Sequence, residues 1–174
     1  WILPDDLREI SGLAATADDR LFTHDDELAE IYEIDAVARG IVKIFMLGEQ
    51  AVWDDFEGIA AADGFLYMVT SKGTLYRFRE GMDGQSVPFD LFATPLDEIC
   101  EVEGLTFDSD RRQLLLACKQ MLDRDQPELV SVFAWSIDEE RFDGPLFEIP
   151  VEGLRQEIDK KHFNPSGIVF RSTT

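Results

Sequence analysis

Four times along the chain an oxygen-bearing side chain stands three places before a glycine, with serine or glutamate directly before it and an aliphatic residue directly after. The copies are Glu9-Ile10-Ser11-Gly12-Leu13, Asp55-Phe56-Glu57-Gly58-Ile59, Glu101-Val102-Glu103-Gly104-Leu105 and Asn164-Pro165-Ser166-Gly167-Ile168. Their glycines are spaced 46, 46 and 63 residues apart. A fixed period of this size is the mark of a repeat architecture and has to be read before any local propensity.

Each repeat continues in the same way. Short runs rich in β-branched and aromatic residues follow each glycine, such as Leu21-Phe22-Thr23 and Ile31-Tyr32-Glu33-Ile34-Asp35, or Leu66-Tyr67-Met68-Val69-Thr70 and Leu75-Tyr76-Arg77-Phe78. A last apolar run closes the unit: Ile41–Leu47, Phe89–Phe92 and Leu146–Ile149. Four short strands bounded by Gly, Asp and Pro turns, repeated every ~40–50 residues, are the sequence form of a β-propeller blade. Sustained helical spacing is confined to the stretch Val151–Phe163, where a short helix would put Leu154, Ile158 and Phe163 on one side. The expectation is therefore an all-β chain of four-stranded antiparallel blades at about 9–54, 55–100 and 101–162. A fourth blade begins at 164, so that residues 1–174 form one portion of a β-propeller. Three blades and one strand do not close a ring, and closure would come from further blades or from another chain.

Composition narrows the classes. The 174 residues are 45% apolar and 11% aromatic, which is globular. No 18-residue apolar run exists to span a membrane. A formal charge of −20 excludes the basic footprint that nucleic acid or an anionic bilayer requires, and it suits cation binding. The chain opens on Trp1 with no charged-then-apolar leader, so a signal peptide is either removed or upstream. Cys100 and Cys118 are the two cysteines. Two buried thiols are the preferred reading, with a disulfide as the alternative.

In a meander, loops alternate between the two faces of the disc. The repeated motifs and the loops after each second strand then emerge on one face, with Glu9, Asp55, Glu101 and Asn164 around the central channel. Carboxylates crowded there repel unless compensated. A hard cation such as calcium is one compensation, since it takes 6–8 oxygen ligands. Glu9, Asp55, Glu101 and Asn164 are the first-choice ligands, with Glu57 and Glu103 secondary; the competing arrangement is internal pairing with Lys72 or Lys119. His24 and Asp25, in the acidic loop His24–Glu27, are the catalytic candidates, because a His–carboxylate pair serves as a general base or a metal ligand. A His in a polar loop is otherwise simply solvated, and His162 is open to the same readings. The Asp/Gly turns on the opposite face, including Gly81-Met82-Asp83-Gly84, read as turn chemistry alone. No nucleophile-elbow, zinc-protease, phosphate-loop or C-x-x-C signature occurs.

Taken together, Glu9–Ala14, Arg20–Glu27, Ile31–Asp35, Asp55–Ala60, Cys100–Leu105, Leu115–Lys119 and Phe163–Ile168 resemble the SdiA-regulated (YjiK-like) family of β-propellers. The resemblance covers nearly the whole chain. It implies a ring of about six blades and an extracytoplasmic bacterial protein, whether periplasmic, secreted or envelope-anchored. More distantly the family is similar to calcium-dependent lactonase and esterase propellers, which hold an axial metal with a Glu from the first blade. Glu9 matches that position and Asn164 a second. Two functions follow as expectations. The preferred one is a module that binds a cation, a small ligand or a protein at the axial face. The alternative is a metal-dependent hydrolase of a small ester, lactone or phosphoester.

Overall fold

A computed structural model describes residues 4, 7–122, 129–151 and 167–171. The described chain is all-β and built from three sheets, antiparallel apart from one short parallel strand at the edge of the first. The first contains β1 (Ile10–Ala15), β2 (Leu21–Asp25), β3 (Glu30–Asp35) and β4 (Gly40–Leu47). The second contains β5 (Phe56–Ala62), β6 (Phe65–Thr70), β7 (Leu75–Phe78) and β9 (Phe89–Phe92). The third contains β10 (Cys100–Asp108), β11 (Gln113–Met121), β12 (Leu129–Ser136) and β13 (Arg141–Pro150). Sequence neighbours pair in order within each sheet, as short turns demand. At Asp63-Gly64, for example, both residues take positive φ (51° and 76°), the geometry of a two-residue turn that matches strand twist.

A short strand, β8 (Ser86–Val87), crosses between sheets. It leaves the second repeat and pairs in parallel with β4, Met46 opposite Ser86 and Leu47 opposite Val87. The turn before it is therefore more than turn chemistry, which corrects the reading of Gly81–Gly84. Asp83 Oδ1 accepts the Ile44 N–H at 3.0 Å, and the Gly84 N–H donates to the Ile44 carbonyl at 2.7 Å. The turn is a clamp on the first sheet.

Period-two alternation places the two faces of the middle sheet in two cores. Ile59, Leu66, Met68 and Phe78 join Phe22, Ile31, Phe45 and Leu47 of the first sheet. Ala60, Ala62, Tyr67 and Val69 join Leu105, Leu114, Leu116, Phe133 and Trp135 of the third. Rings interlock across these boundaries. Phe45 stands edge-on to both Phe22 and Phe78, and Trp135 holds Tyr67 and Phe92 at centroid distances of 6.2 and 5.1 Å. Aromatic pairs of this kind contribute about 0.5–1.5 kcal/mol beyond area burial.

The first strands of the sheets, β1, β5 and β10, meet at a seam, and glycine makes it. A Cβ on Gly12 would lie 2.9 Å from the Ile59 nitrogen and 3.1 Å from the Gly58 Cα. One on Gly58 would lie 2.7 Å from the Leu105 nitrogen, and one on Gly104 would lie 3.1 Å from the Gly167 Cα. Each glycine thus rests on the glycine region of the next repeat, backbone against backbone. Among the described residues 167–171 no ladder forms, and the Phe170 N–H donates to Thr106 Oγ1 at 3.2 Å; the start expected for a fourth blade, at 164, lies outside the described residues.

Two further expectations are corrected. Cys100 and Cys118 are joined as a disulfide between β10 and β11, with a Cα–Cα distance of 5.8 Å, and are not free thiols. Their positions fall on strands whose register brings Val102 opposite Cys118, so the bridge spans paired chains. His24 and Asp25 belong to strand β2 and not to a loop. The stretch proposed as a short helix lies, beyond Val151, outside the described residues.

The seam generates a stability prediction. Gly58→Ala forces a methyl group against the Leu105 backbone and should cost about 1–3 kcal/mol. Gly40 has no positive φ, and a methyl group added there would meet nothing within 4 Å, so it should accept alanine almost without cost. Urea denaturation of both variants checks this, and equal midpoints would contradict it.

Candidate functional site

At each of the first three motifs the strand register skips one residue. Pairing jumps from Ile10 to Gly12 in β1, from Phe56 to Gly58 in β5, and from Val102 to Gly104 in β10. The residues left out of the ladder are Ser11, Glu57 and Glu103. A β-bulge re-aims its extra side chain, and here it does so at the same step in three sheets. The motif therefore has a physical reading: glycine closes the seam and the residue before it is turned out of its sheet.

The bulged residues connect through two contacts. Ser11 Oγ donates to Glu57 Oε2 at 3.0 Å, between residues 46 apart in sequence. Lys119, from β11, donates to Glu103 Oε1. Burial pushes the Glu57 carboxyl up to about 7, the negative charge of Glu103 adds to the rise and that of Asp55 a little more, while Ser11 and Lys119 oppose it. The hydrogen bond to Glu103 holds the Lys119 ammonium above its ordinary range. A groove of about 700 Å³ opens along the seam. Ser11 and Glu57 are its polar side chains, and the rest of the wall is glycine backbone with aliphatic side chains, Leu13, Ile59, Leu105, Ile168 and Val169 among them.

The first motif position behaves differently. Glu9 and Asp55 are exposed and Glu101 is half-buried. Their structural part is played by backbone: the Glu9 carbonyl accepts the Asp26 N–H and the Asp55 carbonyl the Ser71 N–H, each at 2.8 Å. Lys72 is exposed. Asn164, Ser166 and His162 lie outside the described residues. Among the described residues no three His, Cys, Asp or Glu side chains gather as a metal-holding group. The seam offers two carboxylates and a hydroxyl, with one carboxylate already engaged by Lys119, short of the 6–8 oxygens calcium takes. The described residues alone do not make a calcium site.

The two catalytic candidates face different partners. Asp25 Oδ1 accepts the backbone N–H groups of Glu27 and Leu28, at 3.0 and 2.7 Å, and so caps the turn. His24 Nδ1 lies 2.9 Å from the Asp25 carbonyl, which assigns its proton to Nδ1. The ring is fully buried, edge-on to Phe56, with Nε2 unpartnered and 2.7 Å from where a Gly12 methyl would sit. Burial lowers its pKa to about 4, so the imidazole is neutral. It wedges the space Gly12 leaves open.

Sequence reasoning ranked the residue three before the glycine above the residue one before it. A regular strand puts both on one face, so periodicity has no means of separating them. The available signal was the Ser/Glu restriction directly before glycine. Compared with protein-family models the chain matches none, and compared with curated proteins it returns no match.

The two shifted groups predict opposing pH dependences. His24 titrates lower in the folded state than its ordinary 6.5, so its contribution is present above that value and is lost as pH falls toward 4, by about 3 kcal/mol in all. Glu57 titrates higher than its ordinary 4.5, so its contribution is present in acid and is lost as pH rises toward 7. Because the His24 contribution is the larger of the two, wild-type stability should still rise with pH where the windows overlap, less steeply than His24 alone would make it. Glu57→Gln should be more stable than wild type at pH 8, by about 1 kcal/mol after solvent screening, and equal to it at pH 4.5. Chemical denaturation at both values checks this; a difference that ignores pH would contradict the burial of Glu57.

Proposed function

We propose that the chain is a portion of a β-propeller whose three sheets are successive blades, and that it binds a cation, or a small ligand bearing one, in the groove at the seam. The propeller reading is supported by the 46-residue repetition, by the in-order meanders, and by first strands that rest on one another through glycine. The observation that carries the binding reading is Glu57: a carboxylate set on a bulge, lining an open groove, accepting a hydrogen bond from Ser11 and destabilised by its surroundings in the charged form. A bound cation would restore the interactions that burial removes.

Calcium remains within this reading if oxygens beyond the described set, Asn164 among them, complete its shell. The hydrolytic alternative gains no support from His24, whose basic nitrogen is buried against Gly12. An extracytoplasmic home, periplasmic, secreted or on the envelope, is supported by the resemblance and by the Cys100–Cys118 bridge, since such bonds persist in oxidising compartments.

The test is two-dimensional amide NMR of the protein titrated with methylammonium and, separately, with calcium chloride. Shifts should concentrate at Ser11–Leu13, Glu57–Ile59 and Gly104–Leu105. The bound cation should also stabilise the fold by mass action, about 2.7 kcal/mol at a hundredfold excess over Kd. Absence of seam shifts with both cations would end the reading.

A further inference from the structure

We infer that the seam groove is built for a linear primary alkylammonium, its head at Glu57 and Ser11 and its hydrocarbon tail along the strand seam. The inference rests on the binding reading above and adds the ligand's chemical class. A second groove of about 600 Å³ shares Leu13, Ile59, Leu105, Ile168 and Val169 with the first. The two therefore form one path, running from the bulges toward the far turns of the sheets. Beyond the shared aliphatic stretch its apolar wall combines Ala15, Ala61 and Ala62 with the rings of Phe22, Phe107 and Phe170.

Charge fixes the direction of the ligand. At the far end, the charged groups lining the path are already paired. Arg20 donates to Glu80 at 2.6 and 2.8 Å and to Asp18 at 2.9 Å, and Asp63 is held by Arg112 at 2.5 Å. Among the described residues lining the path, Glu57 is the charged side chain with no ion pair. It has an oxygen left over after Ser11, and Lys119 is committed to Glu103. A carboxylate wants a compact donor of opposite charge, and the Ser11 hydroxyl supplies a second acceptor lone pair beside it. The stretch next to it offers only aliphatic side chains and glycine Cα atoms, which reward apolar area and give no polar partner. An ammonium head on an unbranched tail satisfies both ends. An anion is repelled at Glu57, and a bare cation leaves the aliphatic stretch unused.

The experiment is a series of n-alkylammonium chlorides from methyl to octyl, titrated against the folded protein and read by amide shifts. Affinity should rise about two- to fourfold with each methylene buried, while alkyl carboxylates and alcohols of equal length bind at least about tenfold more weakly. Leu13, largely exposed at 60%, can be changed without disturbing the core. Leu13→Ser should weaken the octyl compound by a larger factor than methylammonium, and Glu57→Gln should weaken both. Affinity that ignores chain length, while methylammonium or calcium still shifts Ser11 and Glu57, would overturn the alkylammonium assignment and leave the cation reading standing. Silence from every cation would overturn both. Should Glu57→Gln fail to fold, the Leu13→Ser comparison decides alone.

Discussion

Backbone-to-backbone contact at the seam is the constraint on which the rest of the structure depends. Strands carrying ordinary side chains cannot bring their main chains this close, and the 2.7–3.1 Å clearances at Gly12, Gly58 and Gly104 leave no room for a methyl group. Once the first strands touch, the sheets behind them must stack face to face. The middle sheet then has an apolar need on both faces, which its alternating Ile59/Ala60 and Leu66/Tyr67 pattern meets. The bulge before each glycine follows from the same crowding. A side chain at that step is left out of its own ladder; Ser11 and Glu57 line the groove and Glu103 meets Lys119, so architecture and candidate site share one cause.

Electrostatics follows the same plan. With 36 acidic residues against 16 Lys and Arg, the chain has few cations, and several of them sit where sheets adjoin. Arg20 of the first sheet's hairpin reaches Glu80, Arg77 of β7 reaches Glu140 at 2.5 Å, and Arg112 beside β11 reaches Asp63. Arg77 also lies over the Phe65 and Phe92 rings, and Lys43 over Phe22 and Phe45. Exposed pairs of this kind contribute at most about 1 kcal/mol each. Their larger effect is to fix the orientation of neighbouring sheets while the acid surplus remains outward. Lys119 is the cation placed at the seam, and it holds Glu103, leaving Glu57 as the carboxylate with chemistry to offer.

Much of the fold was legible because repetition multiplies weak signals. Leu75–Phe78 and Phe89–Phe92 are legible at their observed bounds and Ile41–Leu47 to within one residue, since apolar runs between turn residues have one sensible register. The two-residue strand β8 was not, because its pairing partner is β4 of another repeat and nothing in Ser86–Val87 announces a parallel partner. His24 was placed in a loop on its acidic neighbours, although burial under Phe56 decides its state. The disulfide was underweighted because the spacing of 18 residues says nothing of strand register. At the seam, the motif located the right region, but choosing Glu57 over Asp55 required the bulge, which is a property of paired strands and not of one strand's sequence.

The most direct measurement of this account is the coupling free energy between Ser11 and Glu57, obtained from a double-mutant cycle of Ser11→Ala and Glu57→Ala by equilibrium denaturation. The two residues are 46 apart in sequence and touch only if both bulges point their side chains into one groove. The account expects a coupling of about 0.5–1.5 kcal/mol, the net range for a hydrogen bond between partners in contact. Strict additivity, with both single variants folded, would contradict the convergence of the bulges and the site built upon it.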